Sequence, residues 1–176
     1  LLLGVEAWNR IASRKKISKR LVCYLLDEDI NGSLPVIEEW ARQHQWTVHV
    51  VSNGFTKKFP KTGAQLLSRV REMLSTVGFQ RVKIVSALGP REFVREFAQA
   101  DAVITDSFHA VAFSILYGVD CRFLRPTVER RMEMFSRIKS MMKDFIRGAF
   151  LVSSLSESLN SLQNGERTSY CQERIL

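Results

Sequence analysis

Residues 104–118 read ITDSFHAVAFSILYG, an apolar run interrupted near its start by Asp106, Ser107 and His109. Joined to the two residues before it, the stretch divides into two elements. AVIT, residues 102–105, is a short buried strand by its bulk and branching. AVAFSILYG is small or apolar at nearly every position, which predicts a helix sandwiched against a sheet. Ala110 and Ala112 permit close approach there, while Phe113, Leu116 and Tyr117 fill volume. Asp106 and Ser107 fall at the strand's C-terminal end, and either can cap the helix that Phe108 begins. First-turn N–H groups, with the helix dipole, then form a site for phosphate or carboxylate. His109 sits in that turn, and two readings of it stand open: a buried histidine hydrogen-bonded to its neighbours, or an acid–base group beside a bound anion.

Outward from this junction the same alternation repeats. LVCYLL (21–26) reads as a strand and DEDINGS as a polar turn. LPVIEEWARQHQ follows as a helix, with Leu34, Ile37, Trp40 and Ala41 on one side and Pro35 in its first turn. TVHVVS (47–52) is a second strand, NGFTKKFPKTG (53–63) a loop, and AQLLSRVREMLSTV (64–77) a helix ending at Gly78. VKIVSAL is another strand, PREFVREFAQ a helix opened by its proline, and CRFL (121–124) a strand. VERRMEMFSRIKSMMKDFI carries a helical stripe of Met132, Phe135, Ile138, Met142 and Phe145, and Leu155, Leu159 and Leu162 mark one more helix. Strands alternating with helices predict an α/β domain, Rossmann-like, with a parallel sheet flanked by helices. Ligands in such sheets bind at the C-terminal ends of the strands, where Asp106 to His109 lie. We divide the chain into an inter-domain linker or crossing segment (1–20), the α/β domain (21–150) and a C-terminal helical extension (151–176).

At 176 residues and 45% apolar composition the chain can build a full core without disulfide or metal. Cys23, Cys121 and Cys171 are odd in number and widely spaced, which points to reduced thiols and a cytoplasmic setting. No run reaches the length of a membrane span. Lys and Arg exceed Asp and Glu by 26 to 18, a net +8 that favours anionic partners. The cations concentrate at Arg14 to Arg20 and again in Arg122, Arg125, Arg130, Arg131, Arg137, Lys139 and Lys143, and the plain reading of each cluster is a solvated face. His44 reads as a surface residue and His49 as a polar-facing strand position, so the three histidines form no metal centre. P-loop, dinucleotide, zinc-protease and serine-hydrolase motifs are missing, as are nucleic-acid recognition motifs, so no specific nucleic-acid partner is expected.

GPREFVREFAQADAVITDSFHAVAFSILYGV, residues 89–119, resembles the polysaccharide pyruvyl transferase family, with its Ala-Asp pair, its strand ending in Thr-Asp-Ser, and Phe-His followed by a small residue and Phe-Ser. LVCYLL and SRIKSMMKDFIR (136–147) add weaker likeness to that family's C-terminal half. The resemblance implies the donor-binding half of a two-domain GT-B-like enzyme of exopolysaccharide biosynthesis. Such an enzyme moves the pyruvyl group of phosphoenolpyruvate onto sugar hydroxyls of a polysaccharide or lipid-linked glycan and needs no cofactor. It implies His109 as the acid, with Asp106 fixing the helix start or the imidazole, and Ser107 and Phe108 at the donor. Arg137, Arg91, Arg95 and Arg125 are the cations available to hold the donor's charge. It further implies an acceptor-binding half before Glu6 and Trp8, and work at the cytoplasmic face of the membrane through peripheral contact. Two positions depart from the family: Ala110 stands where glycine is usual, and Ser107 where some members carry arginine. A nucleotide-sugar glycosyltransferase half and a degenerate, non-catalytic donor domain are the competing expectations.

Overall fold

The computed structural model describes residues 5–12, 15–26, 30–51, 81–85, 88–125, 132–147 and 151–170. Its centre is a six-stranded sheet of β1 (Arg20–Tyr24), β2 (Thr47–Val51), β3 (Val82–Val85), β4 (Ala102–Thr105), β5 (Asp120–Leu124) and β7 (Leu151–Val152), in the order β3-β2-β1-β4-β5-β7. Every pairing in it is parallel. The helices are α1 (Val5–Ile11), α2 (Ile30–His44), α3 (Pro90–Gln99), α4 (Phe108–Tyr117), α5 (Met132–Phe145) and α6 (Leu155–Gln163). A small antiparallel pair, β6 (Ile146–Arg147) with β8 (Ser169–Tyr170), lies apart from the main sheet.

Successive strand residues face opposite sides, and both sides are apolar because both are covered. Val22, Val103, Cys121 and Phe123 pack with Val94 and Phe97 of α3, Ala110, Val111 and Phe113 of α4, and Ile138 of α5. Leu21, Cys23, Val48, Val50 and Ile104 pack with Leu34, Ile37 and Ala41 of α2 and with Leu155, Leu159 and Leu162 of α6. The Cys23 and Cys121 thiols are free and buried, and burial pushes Cys121 up to about 12. Cys171 and the expected elements over 53–63 and 64–77 lie outside the described residues.

Several expectations need correction. DEDINGS is not wholly a turn: α2 begins at Ile30, so Pro35 stands inside the helix. Pro35 is exposed, on the side away from Leu34 and Ile37, which bury the helix face. The segment from 151 opens with β7, a strand of the sheet, before α6. Lys16 and Lys19 are exposed, as a solvated face requires, and Arg20 is half-buried, but all three also bond to other parts of the fold. Lys16 Nζ donates to Gly118 C=O at 2.8 Å and Lys19 Nζ to His44 C=O at 3.3 Å, each at a helix C-terminus where the dipole favours a cation. Arg20 Nη1 reaches Gln99 Oε1 at 3.3 Å.

Arg122 is the largest departure from a solvated cluster, being 0% exposed. It lies on β5 two residues from Asp120, so both side chains share a face of the strand. Its guanidinium donates to Asp120 Oδ1 at 2.5 Å, to Ser161 Oγ of α6 at 2.7 Å, and to Glu166 C=O. Asp120 Oδ1 also accepts from the Thr168 N–H and hydroxyl at 2.9 and 2.8 Å. This network joins β5 to α6 and to the chain after it.

His49, expected to face outward, is buried, and its Nδ1 lies 2.7 Å from Glu96 Oε2 of α3. Burial alone would raise Glu96, but its hydrogen bond to His49 and the positive field of His49, Arg20 and Lys83 outweigh that and hold it below its ordinary 4.5. A depressed carboxylate contributes stability above its unfolded pKa and loses it as pH falls through the folded value. Glu96→Gln is therefore expected to cost about 1–2 kcal/mol at neutral pH. Urea melts at stepped pH should show the gap to wild type closing below about pH 4. His44 is half-buried instead of a free surface residue, with Nδ1 2.9 Å from Trp40 C=O and its ring stacked on Trp40.

Candidate functional site

The chain winds from β1 outward to β3, returns to β4 beside β1, and then winds the other way to β5 and β7. The C-terminal ends of β1 and β4 are thus the point where strand order reverses, the position at which open α/β sheets bind their ligands. β4 ends at Thr105, and Asp106 to His109 carry the chain from this point into α4.

Ser107 is the N-cap residue of α4, in extended conformation, and its hydroxyl makes no capping bond. The first intrahelical bond runs from Val111 N–H to Ser107 C=O at 3.1 Å. The preceding N–H groups, of Phe108, His109 and Ala110, have no intrahelical acceptor and can turn to an anion. Ser107 N–H instead donates to Thr105 Oγ1 at 3.0 Å, and that hydroxyl donates to Tyr24 C=O at 2.7 Å.

Asp106 is 4% exposed. Both its carboxylate oxygens accept from the Leu26 N–H, at 2.8 and 3.0 Å, across the gap between β4 and the exit of β1. Its negative charge is thereby engaged at β1, which lowers its repulsion of an anion at the helix start. His109 is exposed, its ring edge-on to Phe108 at 5.8 Å, and it has no hydrogen bond to the described residues. This contradicts the buried reading of His109. One turn along α4, Phe113 meets Trp8 of α1 edge-on at 5.1 Å, so α1 buttresses the helix that carries His109.

Ala110 is fully buried within the core on the α4 side of the sheet. Its methyl points into that packing and away from solvent. Arg125 follows β5 directly, its N–H bonded to Val152 C=O at 3.0 Å, and its side chain is exposed. Arg91 lies in the first turn of α3, which packs on α4, and Arg95 is one turn further; both are exposed. None of these three arginines has an ion-pair partner among the described residues. Arg137 lies within α5, and its side chain is outside the described set. Asp106, Ser107, Phe108 and His109 are thus brought together, with Arg125 at the end of the adjacent strand. Thr105 and the backbone of Tyr24 and Leu26 escaped the sequence reading. Only Thr105 carried a signal, as a hydroxyl residue closing an apolar strand.

Among the described residues no group of three His, Cys, Asp or Glu side chains could hold a metal ion, and no helix is long and apolar enough to cross a membrane.

Solved structures that share the fold include two of one enzyme. Both are UDP-GlcNAc 2-epimerase from Methanocaldococcus jannaschii, one in complex with UDP-GlcNAc and UDP. The complex aligns with a TM-score of 0.50 and 16% identity over 91% of this chain, and the other with 0.51 and 16% over 95%. The chain spans 41% and 44% of the length of those proteins, and the likeness makes its fold GT-B-like. No curated protein matches the sequence. The family model of polysaccharide pyruvyl transferase matches residues 48–126. That span includes the 89–119 block and leaves LVCYLL and SRIKSMMKDFIR outside it. The resemblance to the polysaccharide pyruvyl transferase family therefore stands on a segment that runs from β2 past β5 and contains Thr105 to His109 whole.

Proposed function

We propose that this chain is the donor-binding part of a transferase that moves a pyruvyl group from phosphoenolpyruvate to sugar hydroxyls of a polysaccharide or lipid-linked glycan. The observation that carries the reading is an exposed His109 in the uncapped first turn of α4, at the strand-order switch and inside the family-matched segment. Phosphoenolpyruvate carries phosphate and carboxylate, and the N–H groups of Phe108 to Ala110 with the helix dipole favour either. Arg125, Arg91 and Arg95 raise the local positive potential, and Arg137 is the further cation that the resemblance supplies.

The chemistry then divides among these groups. His109 as imidazolium protonates the methylene carbon of the enol phosphate, leaving an oxocarbenium-like centre at the adjacent carbon. One sugar hydroxyl adds to that carbon, inorganic phosphate departs, and a second hydroxyl closes the ketal. Each hydroxyl releases one proton; one restores the imidazolium and the other leaves with phosphate. Asp106 ties the chain after β4 to the exit of β1 through the Leu26 N–H and does not itself face the reacting carbon in this scheme. In this reading the sugar acceptor is held by another part of the enzyme.

The test is phosphate release from phosphoenolpyruvate by the full-length protein containing this chain, with candidate glycans as acceptors. Glycan-dependent release is the expected result. Calorimetric binding of UDP-sugars in place of phosphoenolpyruvate would favour a glycosyltransferase, and binding of neither a non-catalytic domain.

A further inference from the structure

Where two parallel strands part, each N–H and C=O dropped from the ladder needs another partner if it stays away from water. β1 and β4 part by an exchange of partners. Tyr24 and Thr105 are in register, yet Tyr24 C=O accepts from the Thr105 hydroxyl. Leu26 N–H donates to the Asp106 carboxylate. Side chains at and just past the end of β4 thus bond the backbone at and just past the end of β1, where the chain after β4 turns into α4. Thr105 does more, because its oxygen also accepts the N–H of Ser107, the N-cap residue of α4. Thr105 is 0% and Ser107 3% exposed, so bulk water cannot replace either bond.

We propose that Thr105 is a positioning residue of the candidate site. Its hydroxyl sets the angle at which α4 leaves the sheet, and with it the direction of the Phe108 to Ala110 N–H groups and of His109. The requirement is chemical. One atom must donate to β1 and accept from the cap residue together, which a hydroxyl does and a methyl cannot. Thr105 touches no donor itself and acts through the helix start. The kinetic part of this inference rests on the proposed pyruvyl transfer; the structural part does not.

The experiment compares wild type, Thr105→Ser and Thr105→Val in the protein containing this chain, by amide hydrogen exchange and by phosphate release from phosphoenolpyruvate. In wild type, Ser107 N–H should exchange at least about tenfold more slowly than the N–H groups of Phe108 and His109. Thr105→Ser should match wild type in both measurements. Thr105→Val keeps the volume without the hydroxyl, and should lose the Ser107 protection and lower kcat/KM by about tenfold or more. Equal impairment of the serine and valine variants would overturn the proposal, as would a valine variant with Ser107 protection intact. Should no form consume phosphoenolpyruvate, the functional reading fails and exchange alone decides on Thr105. Should the valine variant not fold, a rapidly exchanging Ser107 N–H in wild type still overturns it, and protection retained in both wild type and the serine variant supports it.

Discussion

Arg122→Met is expected to lower the unfolding free energy by about 3–5 kcal/mol, the usual cost of removing one partner of a buried ion pair. The guanidinium is fully buried and joins Asp120, Ser161 and the Glu166 carbonyl. Methionine fills much of the volume but leaves the Asp120 carboxylate with Thr168 and a more distant Arg167 at 3.5 Å. An uncompensated buried charge is the dominant loss, so Arg122→Met with Asp120→Asn should recover a substantial part of it. Urea unfolding of the single and double variants checks this. A single variant within about 1 kcal/mol of wild type would show that the network contributes no more than an ordinary hydrogen bond.

His109→Ala should have the opposite profile. Its side chain is exposed, has no hydrogen bond to the described residues and lies edge-on to Phe108, so thermal unfolding should hardly change. Loss of a positioned general acid should slow turnover by about 10²–10⁴-fold. Phosphate release at saturating phosphoenolpyruvate, measured beside a thermal melt, separates the two effects. A slow variant that is also unstable would place His109 in the fold; full turnover would remove it from the chemistry.

The parts of this molecule that sequence made legible are those governed by one local signal. AVIT became β4 to the residue, because a short apolar run between polar punctuation has one comfortable conformation in a parallel sheet. The His109 junction was legible because polarity inside an apolar run must be explained by an end. Arg122 was misread although its signal was present: a charge between Cys121 and Phe123, with Asp120 at strand period, describes a buried pair on one face. Composition had placed it with surface cations that it never joins. His49 was misread because its partner, Glu96, is 47 residues away, and no local pattern points to it. The start of α2 slipped because proline was taken to mark the first turn, whereas Pro35 sits on the exposed side of a helix already under way. The bridge from Thr105 and Asp106 to β1 spans about 80 residues of chain and depends on which strand lies beside β4. Only strand order reveals it.

The central claim is that the start of α4 holds phosphoenolpyruvate. A crystal structure of the protein in complex with phosphoenolpyruvate tests it most directly. The account predicts a phosphate or carboxylate oxygen within about 3.2 Å of N–H groups in the Phe108 to Ala110 turn, with the methylene carbon toward His109. Phosphoenolpyruvate bound at another place, or a crevice that takes up a UDP-sugar and excludes phosphoenolpyruvate, would contradict it.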